Sequence, residues 1–130
     1  MKNKKAQSAI EFIILIMFLL FFFILFFVSI QESMSDKVKE QKNLVVKEIA
    51  STVQDEINLA SKASDGYSRK FKIPEKISNQ DYYLSITGEM VYLKTLDEKS
   101  AIALPVPEIT GQVIKGENTI RKENGVVYLN

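Results

Sequence analysis

Residues 12–28 read FIILIMFLLFFFILFFV, 17 consecutive apolar side chains with no charge, glycine or proline among them. Extended to Ile30, the run is interrupted only by Ser29, and no charge lies between Glu11 and Glu32. At about 1.5 Å per residue these positions span roughly 28 Å as a helix, close to the hydrocarbon thickness of a bilayer. A helix that is apolar on every side needs lipid or other apolar surfaces around it. Seven of the eight phenylalanines fall between Phe12 and Phe27, so the aromatic content of the chain mostly describes this rod.

Ahead of the rod stand Lys2, Lys4 and Lys5 with no acid among residues 1–6. Such a basic flank holds the N-terminal side of a span in the cytoplasm. The simplest reading of this layout is a signal anchor, one membrane helix tethering an outer domain. A secretory signal peptide fits less well, because its apolar region runs about 7–15 residues and ends in a small-residue cleavage site. Nothing near Ser29 has that form. Glu11, an ionisable side chain at the edge of the run, calls for a functional explanation.

The stretch Gln7-Ser8-Ala9-Ile10-Glu11-Phe12 resembles the Q-x-S-x-E-F signature of archaeal type IV pilins with class III signal peptides. The resemblance implies a leader, Met1–Ala6, removed by a prepilin peptidase that cuts between Ala6 and Gln7. Gln7, Ser8, Glu11 and Phe12 then form the processing and assembly motif. Ser8 also suits a helix N-cap, its hydroxyl accepting from an orphan N–H of the first turn. Glu11 near a helix start favours the positive end of the helix dipole. In a dry filament core its charge needs a partner, which the new α-amine of Gln7 supplies unless that glutamine cyclises to pyroglutamate.

Beyond the rod the chain turns polar but keeps a helical stripe: Met34, Val38, Val45, Ile49, Val53, Ile57 and Ala60 recur at spacings of three, four and seven. Lys37, Lys39, Glu40, Lys47, Glu48, Asp55 and Glu56 populate the other side. With no proline or glycine before Gly66, the expectation is one helix of nearly 60 residues stopped by that glycine. Its face Val38, Val45, Ile49, Val53 and Ile57 is expected to pack under a sheet.

From Tyr67 the apolar period switches to two. Phe71 and Ile73, then Tyr82, Leu84 and Ile86, then Val91 and Leu93 mark strands, with Thr87-Gly88-Glu89 as a hairpin turn. Ala101–Leu104 is another strand before Pro105-Val106-Pro107, and Asn124-Gly125 is the strongest hairpin signal of the chain. Lys115-Gly116-Glu117-Asn118 reads as a turn. The expected fold class is α+β: a long N-terminal helix, apolar then amphipathic, packed on a small antiparallel sheet of four to six strands. The expected divisions are a leader at 1–6, a membrane or filament-core helix at 7–30, an amphipathic extension at 31–65 and a β-rich domain at 66–130.

Composition narrows the chemistry. The chain has no cysteine, histidine or tryptophan, so disulfides, thiolate nucleophiles, Cys/His zinc sites and imidazole bases are excluded. The three leader lysines belong to 17 basic side chains, leaving 14 against 16 acids beyond residue 6. That balance offers no electrostatic footprint for nucleic acid. Asp97-Glu98 and Glu108 read as solvated loop acids, and Arg69, Lys70 and Lys72 as a charged strand edge. No catalytic set, cofactor site or metal site is expected, and the chain is not expected to be an enzyme.

The resemblance implies a structural subunit of a surface filament. It would sit in the cell membrane as a precursor and in an extracellular filament on the cell surface once mature, a class of polymer associated with cell adhesion. Phe12, Ile13, Leu15, Ile16, Leu19, Phe22, Phe23, Phe26 and Phe27 would line the filament core. The implied partners are copies of the chain, the prepilin peptidase, the membrane and other co-assembling pilins, with no nucleic acid. Two alternatives stand beside it: a minor pilin or pseudopilin that primes or caps assembly, and a membrane-anchored extracellular binding module.

Overall fold

The structure, a computed structural model, describes residues 2–130, without the side chains of Lys2, Asn3 and Lys5. The leader charges Lys2 and Lys5 therefore lie outside the described side chains, while Lys4 is exposed. The described residues form one helix and seven short strands, an α+β arrangement. It divides into two compact units, one ending at Lys39 and the other spanning Glu40–Asn130.

Helix α1 runs Lys2–Lys62 without a break. No proline or glycine occurs in it to remove a backbone hydrogen bond. The single helix expected across segments 7–30 and 31–65 is one element, and its last part belongs to the β-rich unit. The helix ends at Lys62, ahead of the expected glycine stop. Gly66 (φ 92) instead donates its N–H to the Lys122 carbonyl at 2.9 Å. The Lys122 ammonium closes the helix end by donating to the carbonyls of Ser61 and Ala63 at 2.7 and 2.9 Å. A cation at the negative end of a helix satisfies orphan carbonyls and favours the dipole.

Strands β1 (Ser68–Ile73), β6 (Gly116–Glu123), β7 (Val126–Leu129) and β5 (Thr110–Gly111) form one sheet in that order. β5 pairs with β7 in parallel, and the other neighbours are antiparallel. Strands β2 (Tyr82–Thr87), β3 (Met90–Thr95) and β4 (Ala101–Pro105) form a separate antiparallel meander. The strands are mostly antiparallel, as expected, but seven of them divide into two sheets where four to six in one sheet were expected. Period-two patterning identifies strands but carries no record of which strand neighbours which.

Both expected hairpins occur. Gly88 (φ 60) opens a two-residue connection between Thr87 and Met90, and Asn124 (φ 50) with Gly125 (φ 78) joins Glu123 to Val126. Two positive φ values in a row are what a type I′ turn requires, hence asparagine followed by glycine. Pro105 closes β4 at a sheet edge, where a missing N–H costs no ladder bond. The expected turn at Lys115–Asn118 is corrected, since Gly116, Glu117 and Asn118 begin β6. Buried Asn118 makes this possible. Its amide donates to the carbonyls of Ile114 and Gly116, at 2.7 and 3.1 Å, and accepts from the Ile114 N–H at 2.8 Å.

The core lies in the second unit. Val46, Ile49, Ala50, Val53, Ile57 and Ala60 form the buried helix face, packed with Phe71, Ile73, Tyr82, Val91, Leu93, Ile120 and Leu129 from the two sheets. Val45 is half-buried against this cluster. Val38 takes no part, being 62% exposed, and Met34 is 63% exposed. The stripe in the sequence is thus longer than the stretch its own sheets cover.

Cover begins at Lys42 and Asn43. Lys42 donates to Gln80 and to Asp97, both at 2.6 Å, and Asn43 accepts from the Ser100 hydroxyl. Asp97 also accepts from Thr95 Oγ1 at 2.6 Å. Asp97 is therefore no free loop acid but an anchor of the β3–β4 loop on the helix. The Lys42 hydrogen bond, then that of Thr95, holds its carboxyl well below the usual carboxylate range. Glu98 pairs with Lys94 at 2.7 Å, and Arg69 lies 3.5 Å from Glu56.

Two outcomes follow from this packing. Replacing Lys122 by Met keeps the aliphatic stem but strips the ammonium from two helix-end carbonyls, so a loss of about 1–3 kcal/mol is expected. Urea unfolding of the detergent-solubilised chain, followed by tyrosine fluorescence, should show it as a lowered midpoint. The second outcome concerns Tyr82, 2% exposed, whose hydroxyl donates to the Pro74 carbonyl. Burial, reinforced by the Asp81 charge, pushes its pKa up to about 12. The folded state therefore holds its proton where the unfolded chain has lost it. The associated stability is complete below about pH 10 and drains away as pH rises towards 12. Tyr82→Phe should be less stable at neutral pH yet lose less between pH 10 and 12. Parallel alkaline profiles for the two proteins would refute this account.

Candidate assembly interface

The candidate site is a surface of α1 and not a cleft. Along Phe12–Val28 every side chain is exposed, by 40–66%, so the structure covers none of the rod. The nine residues expected to line a filament core, Phe12, Ile13, Leu15, Ile16, Leu19, Phe22, Phe23, Phe26 and Phe27, all belong to this uncovered surface. At 3.6 residues per turn these nine fall on about one half of the helix circumference, while the successive positions of the rod together cover every side. The helix is long and apolar enough to cross a membrane.

At the start of the rod the polar motif has a local geometry. Gln7 and Glu11 are one helical turn apart, and Gln7 Nε2 donates to Glu11 Oε1 at 3.4 Å. A pair at i, i+4 meets on one helix face, so an amide donor stands beside the carboxylate on the uncleaved chain. Ala6 and Gln7 both lie inside α1, so the Ala6–Gln7 bond is helical here.

Ser8 differs from expectation in two respects. The helix starts at Lys2, which places Ser8 in a later turn, where it caps nothing. Nothing in Lys2–Ala6 breaks a helix, and so these residues extend α1. Ser8 also stands second in the motif, whereas the Q-x-S-x-E-F signature has its serine third, a place taken here by Ala9. Gln7, Glu11 and Phe12 keep their places.

The expected sheet-packing residues divide. Ile49, Val53 and Ile57 are buried in the core of the second unit, Val45 lies at its margin, and Val38 is outside it. Val46 and Ala50 are core positions that a stripe built on spacings of four and seven passes over, although an i, i+3, i+4 reading would include them. Among the described residues, no three acidic side chains converge as a cation site would need.

No protein-family model, curated protein or solved structure matches this chain. The class rests on the architecture, a long apolar N-terminal helix followed by a small β-sheet region, which is pilin-like.

If the rod partitions into lipid, a charge near its middle must weaken it. Leu19→Asp is expected to cost about 2.5–3.5 kcal/mol at the centre of a span. The substituted chain should shift from the carbonate-resistant membrane fraction to the soluble or aggregated fractions. Unchanged membrane retention would count against the rod as the inserted segment.

Proposed function

We propose that this chain is the structural subunit of an archaeal type IV pilus-like surface filament. It is made as a membrane prepilin, cut by a prepilin peptidase between Ala6 and Gln7, and polymerised through its apolar helix. The observation that carries the reading is an uncovered 17-residue apolar rod with a carboxylate at its entrance, joined to a folded β-rich unit. A tether needs the rod but has no use for Glu11. A subunit whose helices pack together does, because a dehydrated carboxylate demands a partner and cleavage creates an amine four residues away.

In this reading the rod leaves lipid and exchanges acyl chains for copies of itself. An uncut leader would bring Lys2, Lys4 and Lys5 into the same dry core, so polymerisation waits on processing. The role of Glu11 in this reading is pairing. Other pilins can join the same polymer through the same apolar surface, and a minor pilin would use it at a filament end.

The test is mass spectrometry of material sheared from cells. An N-terminal peptide starting at Gln7, or its pyroglutamate form, recovered in the sheared fraction is the expected outcome. Finding Met1–Ala6 still attached, with the chain retained in the membrane, would favour the tethered binding module. A terminus at Gln7 in amounts far below another pilin would assign the minor role.

A further inference from the structure

Of the five glycines in the chain, only Gly66 and Gly125 follow an acid or its amide, as Asp65-Gly66 and Asn124-Gly125. Such pairs are chemically labile points of a backbone. The glycine nitrogen can attack the side-chain carbonyl carbon of the residue before it, and glycine has no Cβ to shield that approach. The fold brings the two pairs together at the end of α1. The Gly125 N–H donates to Asp65 Oδ1 at 2.8 Å, across 60 residues of sequence. The Gly66 N–H donates at 2.9 Å to the carbonyl of Lys122, on the strand that leads into Asn124. Each glycine nitrogen is therefore held by the segment that carries the other pair. Asn124 itself is exposed at the tip of the β6–β7 hairpin, so water reaches it freely.

We propose that Asn124 is a modification site, kept dormant by Asp65 and converted to aspartate and isoaspartate when the hairpin leaves the helix end. In the reaction the Gly125 nitrogen gives its proton to solvent hydroxide and forms a bond to Cγ of Asn124. The bond from Cγ to Nδ2 breaks, and the nitrogen leaves as ammonia with a proton taken from water. Water then adds to the cyclic imide at either carbonyl. Opening at Cγ gives aspartate, and opening at the main-chain carbonyl gives isoaspartate, with an extra carbon in the backbone. Asp65 opposes the first step twice. Its hydrogen bond must break before the Gly125 nitrogen can turn to Cγ, and its carboxylate disfavours negative charge developing on that nitrogen.

Either product hinders the hairpin from docking again. The two-residue connection between Glu123 and Val126 has a fixed geometry that an extra backbone carbon breaks. The strands it joins carry buried Val127 and Leu129, and Lys122, which closes the helix end. Aspartate instead brings a second carboxylate to the turn that Asp65 must approach. A transient opening thus becomes a permanent chemical mark. The inference concerns the β-rich unit alone and does not depend on the filament reading.

The test holds the full chain in detergent at mildly alkaline pH and follows the tryptic peptide that starts at Glu123. Mass spectrometry reads the exchange of amide NH2 for OH, and enzymatic methylation reads isoaspartate. Asp65→Ala should convert about fivefold faster or more, a factor within the range of one exposed hydrogen bond. Tyr82→Phe, which weakens the fold from the other sheet, should leave the rate unchanged. In urea the unaltered chain and Asp65→Ala should convert alike, because the restraint belongs to the fold. An unchanged or slower rate in folded Asp65→Ala, equal acceleration by Tyr82→Phe, or a difference that persists in urea overturns the proposal. Should Asp65→Ala not fold, amide hydrogen exchange on the unaltered chain decides. Protection of the Gly125 N–H supports the restraint, and exchange at the rate of an open turn refutes it.

Discussion

An apolar surface that its own chain leaves bare is the constraint on which everything else depends. A buried large aliphatic or aromatic side chain is worth about 1.5–3 kcal/mol relative to exposure. The rod side chains are about half exposed, so roughly 1 kcal/mol each is at stake, and the 17 of them amount to on the order of 15–20 kcal/mol. That exceeds the 5–15 kcal/mol by which a typical domain is stable. The molecule therefore has no comfortable existence as a monomer in water. Lipid and neighbouring copies are the two environments that meet the demand, and the proposed life cycle uses them in turn.

The second unit solves a different problem, that of a small sheet domain with a marginal core. It takes cover from the last part of α1 and pins that segment at both ends with polar contacts. Lys42 and Asn43 hold the β1–β2 and β3–β4 loops where cover begins, and Lys122 holds the carbonyls where the helix stops. Between those pins the buried stripe from Val46 to Ala60 is small and β-branched, which lets two sheets share one helix face. Gln112 adds a link between the sheets, pairing both its amide groups with the backbone of Ile86 on β2.

What was legible in the sequence follows the range of the interactions concerned. Local signals read well: the unbroken α1 from missing breakers, the strands from alternation, and the hairpins from Gly88 and Asn124-Gly125. Nonlocal ones did not. Asp97 looked like a solvated acid because its partner Lys42 lies 55 residues away. Asn118 looked like a turn residue because its sequence neighbours do not show that its amide oxygen also accepts from the Asn130 side chain, 12 residues away. Val38 looked like core because period reveals a stripe but not how far a sheet reaches along it. Ser8 looked like a cap because the helix was expected to begin beside it. The apolar rod was legible in full, yet what surrounds it is a property of the assembly and not of one chain.

Cleavage, as proposed, alters the electrostatics of Glu11 more than its position. In the uncut chain α1 begins at Lys2, so Glu11 sits in the third turn. The helix dipole acts over about one turn and is worth about 0.3–1 kcal/mol at exposed sites, and so it offers that carboxylate little. Its near neighbour is the neutral amide of Gln7. Removal of residues 1–6 places the positive end of the helix, and a new amine, within about one turn of Glu11. The dipole alone remains a small term. Burying an unpaired charge costs several kcal/mol, so the amine decides whether Glu11 is tolerable in a dry core. A carboxylate poorly suited to helix packing before the cut and paired after it makes the order of events a consequence of solvation. On the proposed reading, the rod would stay in lipid, with Glu11 near the wet edge, until residues 1–6 are removed.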